Sequence, residues 1–202
     1  MKNLSLMICL SAQLLLVACS PIKTEVTNQY SLTKYGTDKL VKNKSKTSIL
    51  ISQPEAMAGF TTEDMRYIEK PFEVSTFVHN SWVSSPGNML YPLLMQSLQK
   101  TGYFFAVASG PYLDKADYRL DSQIITLQQN FLTKPSTMEF RIKIMLTHVS
   151  DNRVIVSRIF NENISCPIDT PYGGVIAANK ASEKFTQELA KFIVKEVRND
   201  TK

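Results

Sequence analysis

The sequence is short of the residues that catalysis most often uses. It has two histidines, His79 and His148, and neither has a second histidine, a cysteine or a carboxylate at metal-ligand spacing. No G-x-S-x-G elbow, P-loop or dinucleotide fingerprint occurs. No catalytic residue, metal or cofactor is therefore expected, and the chain reads as non-enzymatic. No apolar run approaches the ~20 residues that a membrane-spanning helix needs. Basic residues exceed acidic ones by only five in 202, and they are dispersed except at Lys39, Lys42, Lys44 and Lys46. A nucleic-acid partner would call for a basic face or interleaved aromatics, so none is expected. The lysine cluster reads as a solvated loop ahead of the first convincing strand. Repeats and low-complexity segments are absent too, which leaves a single domain of ordinary composition.

What is present begins at the N-terminus. Met1-Lys2-Asn3 supplies a short positive region, and Leu4 to Val17 is an apolar run interrupted by Ser5, Ser11 and Gln13. That length suits the core of an export signal and is too short to span a bilayer comfortably. The run ends in Leu16-Val17-Ala18-Cys19. This resembles the lipobox of bacterial lipoproteins, in which the cysteine thiol is alkylated by diacylglycerol, the signal is cut before it, and the new N-terminus is acylated. On this reading residues 1–18 are a signal peptide, Cys19 is the lipidation site, residues 19–29 are a tether, and residues 30–202 are one domain. Three acyl chains bind far more strongly than one, so anchoring to the lipid bilayer is expected to be permanent. Ser20, rather than an aspartate, follows the cysteine and favours the outer membrane by resemblance to enterobacterial sorting rules. With Cys9 lost and Cys19 acylated, Cys166 has no disulfide partner within the chain and reads as a half-buried small hydrophobe.

The mature chain carries both periodicities. Thr47 to Gln53 is a short strand stopped by Pro54, and Arg66 to Phe77 is a strand broken at Pro71. Ser84 to Asn88 is a turn cluster that launches a helix over Met89 to Thr101, with leucines at helical spacing, Pro92 in the first turn and Gly102 as the stop. Tyr103 to Ala108 reads as a buried strand. Tyr118 to Phe131 is a long strand whose phase shifts at Ile124-Ile125, suggesting a bulge. Met138 to His148 alternates apolar and polar residues, and Val154 to Phe160 completes an antiparallel three-strand meander. Ala178, Ala181, Phe185, Leu189, Phe192 and Ile193 trace one stripe of a long C-terminal helix over Val175 to Val197. The expected fold is an α/β (α+β) sandwich, a mixed sheet with two packed helices. Trp82, in a polar loop before Pro86, either seals the core or protrudes as an anchor, and core sealing is favoured. Tyr172-Gly173-Gly174 reads as a flexible lead into the last helix rather than an anion site.

The order of these features resembles a known family. The cysteine, the short tether and Tyr30-x-Leu32 are followed by the strand ending at Pro54, then Tyr67, Trp82, the Pro86 turn and a leucine-rich helix. Tyr103-Phe104, Val107 and Asp117-Tyr118-x-Leu120 then lead into the meander and terminal helix. This looks like the auxiliary lipoprotein family of ABC-type transport systems, the PqiC-like group. The resemblance implies a non-enzymatic envelope component that works with an MCE-domain tunnel protein carrying phospholipid or other hydrophobic molecules between two membranes. It also implies docking of that tunnel at the outer membrane, with a homo-oligomer ring among the arrangements. The alternative reading is a lipoprotein activator of a peptidoglycan synthase. Such an activator needs a long leash, whereas about ten residues between Cys19 and Tyr30 reach only ~35 Å.

Overall fold

The computed structural model describes residues 27–110 and 116–201. Its elements are β1 (Asn28–Tyr30), β2 (Ser48–Ile51), β3 (Glu55–Ala56), β4 (Asp64–Lys70), β5 (Glu73–Trp82), α1 (Pro86–Lys100), β6 (Ala106–Ser109), β7 (Tyr118–Asn130), β8 (Thr137–His148), β9 (Arg153–Ser165) and α2 (Pro171–Asp200). The strands form one mixed sheet, and the expected α+β sandwich with two packed helices is what the chain builds.

The sheet is organised around β7. One edge of β7 pairs antiparallel with β8 along its whole length, from Tyr118↔His148 to Asn130↔Thr137. The other edge is shared by three short strands, all parallel to it: β2 at Ile49 to Ile51, β3 at Glu55 and Ala56, and β4 at Arg66 to Ile68. β9 extends the meander beyond β8, β5 lies antiparallel to β4, and β1 lies parallel to β5. The register of β7 shifts between Ile124 and Thr126, where the two adjacent isoleucines interrupt the alternation.

Alternation along the meander places Leu120, Ile124, Phe140, Ile142, Ile144 and Phe160 on one buried face. Both helices cover that face. Phe185 of α2 is fully buried and meets Phe140 and Phe160 edge-on, at 5.4 and 5.3 Å between ring centroids. The helices pack side by side, with Ser97 of α1 donating to the Thr186 carbonyl of α2. Residues 31–46 cross this layer as a strap. Thr33 N–H donates to Asn179 Oδ1, Gly36 N–H donates to Thr186 Oγ1, and Lys191 pairs with Asp38 at 2.8 Å. Gly36 is needed there because a Cβ would fall 2.5 Å from the Gln187 Cα. Lys39, Lys42, Lys44 and Lys46 are exposed on the strap, as a solvated segment should be.

Several local expectations give way. Pro71 does not interrupt one strand; it opens a hairpin turn between β4 and β5, with Phe72 at a φ of 68°. Trp82 seals the core as favoured, but it does so as the last residue of β5 and not from a loop. α1 begins at Pro86, which puts Pro92 inside the helix and not in its first turn. Tyr103 and Phe104 are buried, but the strand itself starts at Ala106 and lies half-buried at the edge, because β6 pairs only with β2. Tyr172-Gly173-Gly174 is the first turn of α2, capped by Thr170, whose hydroxyl oxygen accepts from Gly173 N–H. A side chain at Gly173 would strike the Ile168 carbonyl, and one at Gly174 would strike the Gln129 amide. Close packing, not flexibility, explains these glycines.

Phe185 is the side chain on which both layers close. Phe185→Ala is expected to cost about 3–5 kcal/mol, seen as a lower urea midpoint with an unchanged slope. Val154→Ala, at a half-exposed position beside the β8–β9 turn, should stay within about 0.5 kcal/mol of the parent.

Candidate functional site

The residue singled out by sequence, Cys19, lies outside the described residues, as do the signal segment and most of the tether. What the structure offers are four places where polar or apolar groups converge.

The first joins the C-terminus of α2 to the start of the meander. Tyr118 Oη donates to Asp200 Oδ2 at 2.7 Å, and Arg153 Nη2 donates to Asp200 Oδ1 at 2.8 Å. Burial pushes the Tyr118 hydroxyl far above its ordinary pKa, and the facing Asp200 carboxylate adds to that. Burial alone would raise Asp200, but the hydrogen bonds from Tyr118 and Arg153 outweigh it and hold the carboxyl below its ordinary value. Beside it His148 Nδ1 and Asp151 Oδ1 stand 2.9 Å apart, and Asp151 is held at a pKa of about 2, chiefly by this contact and by the Arg153 backbone N–H. The sequence reading missed this carboxylate three residues beyond His148. Ser150 Oγ lies 3.4 Å from the same ring nitrogen. A nucleophile–base–carboxylate relay needs the serine and the carboxylate on opposite nitrogens, so this is a turn brace and not a hydrolytic centre.

The second place is a cleft of about 390 Å³ on the sheet face away from the helices, lined by Ser52, Gln53, Glu55, Arg119, Gln123 and Lys143 among others. Asp121 accepts from Ser52 Oγ at 2.6 Å and from Arg119 Nε at 2.9 Å. It can hold polar groups, but no histidine or cysteine lines it. Among the described residues no cluster of histidine, cysteine and carboxylate side chains has the form of a metal site.

The third is the Cys166 pocket. Cys166 is more buried than its sequence suggested, at 2% exposure, and Gln129 Nε2 approaches its sulfur at 3.6 Å. Burial pushes the thiol above its ordinary pKa, the opposite of what a reactive cysteine requires.

The fourth is apolar. At the end of the sheet where β4 turns into β5, β7 turns into β8, and β9 leads to α2, the exposed large apolar side chains include Phe72, Leu132 and Ile168. Behind them Tyr67 stacks on Phe77 at 4.3 Å, with Phe131 edge-on to both. None of these was recognisable as a group in the sequence, because they come from separate turns.

No family model matches the sequence, and no curated protein matches it. Solved structures do. The chain is similar to a Xanthomonas campestris protein assigned to the family DUF330, with a TM-score of 0.78 and 19% identity over 86% of this chain and 99% of that one. It is similar to an uncharacterised protein with a TM-score of 0.67 and 16% identity, over 84% and 99% of the two chains. A hypothetical protein from Chlamydia trachomatis follows at a TM-score of 0.51 and 7% identity, over 72% and 96%. At these identities the likeness is one of fold alone: the chain shares its α+β architecture with these proteins.

The Asp200 network makes a pH-dependent contribution that can be measured. Asp200 has a depressed folded-state pKa, so its stabilisation is present above the unfolded value of 3.8 and is lost as pH falls through the lower folded value. Tyr118→Phe keeps the ring and removes one hydrogen bond to a charged, largely buried carboxylate, a loss of about 1.5 kcal/mol at pH 7. Urea unfolding of the two proteins should show that gap narrowing as the pH drops below 3.8.

Proposed function

We infer that this protein is a lipid-anchored, non-enzymatic component of the bacterial envelope, retained through acylated Cys19. The observation that carries this reading is the Leu16-Val17-Ala18-Cys19 segment at the end of a 14-residue apolar run that begins behind Lys2. The thiol supplies the nucleophile for lipid transfer, and Ala18 is the small residue that cleavage requires. Retention is tested by fractionation. Cys19→Ala should move the folded protein from the membrane pellet to the soluble fraction, and a variant that still pellets contradicts the anchor. Ser20 supports residence in the outer membrane, so density-gradient separation should recover the lipidated protein with the heavier membrane.

Within that class we propose the role of an auxiliary lipoprotein that docks an MCE-domain tunnel protein. The tunnel would carry phospholipid or other hydrophobic molecules between the membranes. Support comes from the order of motifs from Tyr30 to the terminal helix and from the short tether, which keeps the domain at its membrane. The apolar faces of the meander and of α2 are consumed by the core, so docking falls to loops and to the bare sheet face. An affinity near −8 kcal/mol, in the micromolar range, is sufficient, because the anchor raises the effective concentration at the membrane. The test is co-purification of the lipidated full chain with an MCE-domain protein encoded beside it. Recovery of a peptidoglycan synthase that the protein stimulates, with no MCE-domain protein, contradicts this role and favours the alternative.

A further inference from the structure

We propose that the apolar end of the sheet, led by Phe72 at the tip of the β4–β5 hairpin, rests in the lipid bilayer that holds the anchor. The proposal rests on lipidation of Cys19 and adds to it an orientation. It starts from the direction in which the chain arrives. β1 pairs parallel with β5, Asn28 opposite Asn80 and Tyr30 opposite Trp82. β5 runs from the hairpin tip towards Trp82, so the chain reaches Asn28 from the side of the tip. From the level of Asn28 the tip lies no farther than the length of β4, six residue steps or ~20 Å. Cys19 is nine residues before Asn28, a reach of ~30 Å when extended. The acylated cysteine therefore comes level with the tip with slack to spare. To bring the opposite end, at the β8–β9 turn, to the membrane, the tether would have to reverse at Asn28 and run nearly straight.

The chemistry of that end agrees with its position. Phe72 is wholly exposed, and Leu132 and Ile168 are each about half exposed, at 47 and 50%. They come from three separate turns, β4–β5, β7–β8 and β9–α2, that share one end of the sheet. Phe72 also sits in the left-handed region at a φ of 68°, where a glycine or asparagine is the ordinary occupant of a turn. A bulky apolar ring at the tip of such a turn is poorly matched to water and well matched to the acyl–headgroup boundary. Charges there are mixed, with Lys70 paired to Glu73, Lys134 acting on Asp169 and Glu69 exposed beside them, so contact does not depend on anionic lipid. The opposite end exposes Phe105 and Val154 but also carries the Arg153–Asp200–Asp151 network, and in this orientation it faces the periplasm.

Tryptophan fluorescence tests the orientation on the intact lipoprotein. The lipidated full chain carrying Phe72→Trp, and separately Val154→Trp at the opposite end, is reconstituted into phosphatidylcholine vesicles with and without brominated acyl chains. The parent protein, whose one tryptophan is the buried Trp82, serves as the blank. The expected result is blue-shifted emission and loss of intensity with brominated lipid for Phe72→Trp, and neither for Val154→Trp. Equal quenching at both sites, or none at Phe72→Trp in a protein that floats with the vesicles, overturns the orientation and leaves the anchor standing. A blue shift that needs high protein concentration but no lipid assigns the patch to a second copy of the chain and likewise overturns the proposal. A protein without acyl mass on Cys19 that does not float overturns both the orientation and the anchor.

Discussion

Backbone pairing on both edges of β7 is the constraint from which the rest of this structure follows. A ladder with β8, interrupted only by the bulge at Ile125, runs along one side of its thirteen residues, and on the other side three short parallel strands pair with Tyr118 to Leu120, Gln123 and Ile124, and Gln128 to Asn130. Most of the strand's polar backbone is thereby paired on both edges. The short strands could not hold a sheet by themselves, β3 having two residues and β2 four. They are positioned because β7 templates them. The hairpin of β4 and β5, and through it β1, inherit their place from the pairing of Arg66 to Ile68 with Gln128 to Asn130.

That frame gives the domain two unlike ends. At one, the C-terminal turn of α2 is locked to the meander by Tyr118, Arg153 and Asp200, three polar groups that satisfy each other. At the other, turns and helix start are closed by packing: Tyr67 on Phe77, Gly174 against Gln129, Thr170 over the first turn of α2. The incoming strand β1 runs from the side of this second end towards Trp82, and its last residue, Tyr30, meets Tyr172 at 5.9 Å between rings. The sheet face away from the helices supplies further polar surface, including the Asp121 cleft.

The meander and the long helix were legible because their periodicity is local. Met138 to Leu146 states the buried face of β8 by alternation, and Ala178 to Ile193 states the stripe of α2. Parallel pairing was not legible, since Ile49 meets Tyr118 and Arg66 meets Gln128 across 69 and 62 positions that carry no register signal. The hairpin at Phe72 was missed for a different reason. Its turn contains no glycine or asparagine, so Pro71 looked like a defect in one strand when it was the first residue of a turn between two. Trp82 was misplaced because its neighbours Asn80, Ser81 and Ser84 are polar while its own ring is buried. Of the candidate sites, only Cys19 could be read from sequence, because the segment that resembles a lipobox is contiguous. The Tyr118–Asp200 contact joins residues 82 apart, and the apolar end gathers three turns, so folding is what creates them.

The central claim is the covalent one, that lipid on Cys19 makes this an envelope-anchored domain. Mass spectrometry of the N-terminal peptide from the protein purified out of bacterial membranes addresses it directly. The account predicts a mature chain that begins at Cys19 and carries a diacylglycerol thioether and an amide-linked acyl chain, with Ser20 and Pro21 following unmodified. A chain that retains Met1, begins at any other residue, or presents Cys19 as a free thiol would contradict it.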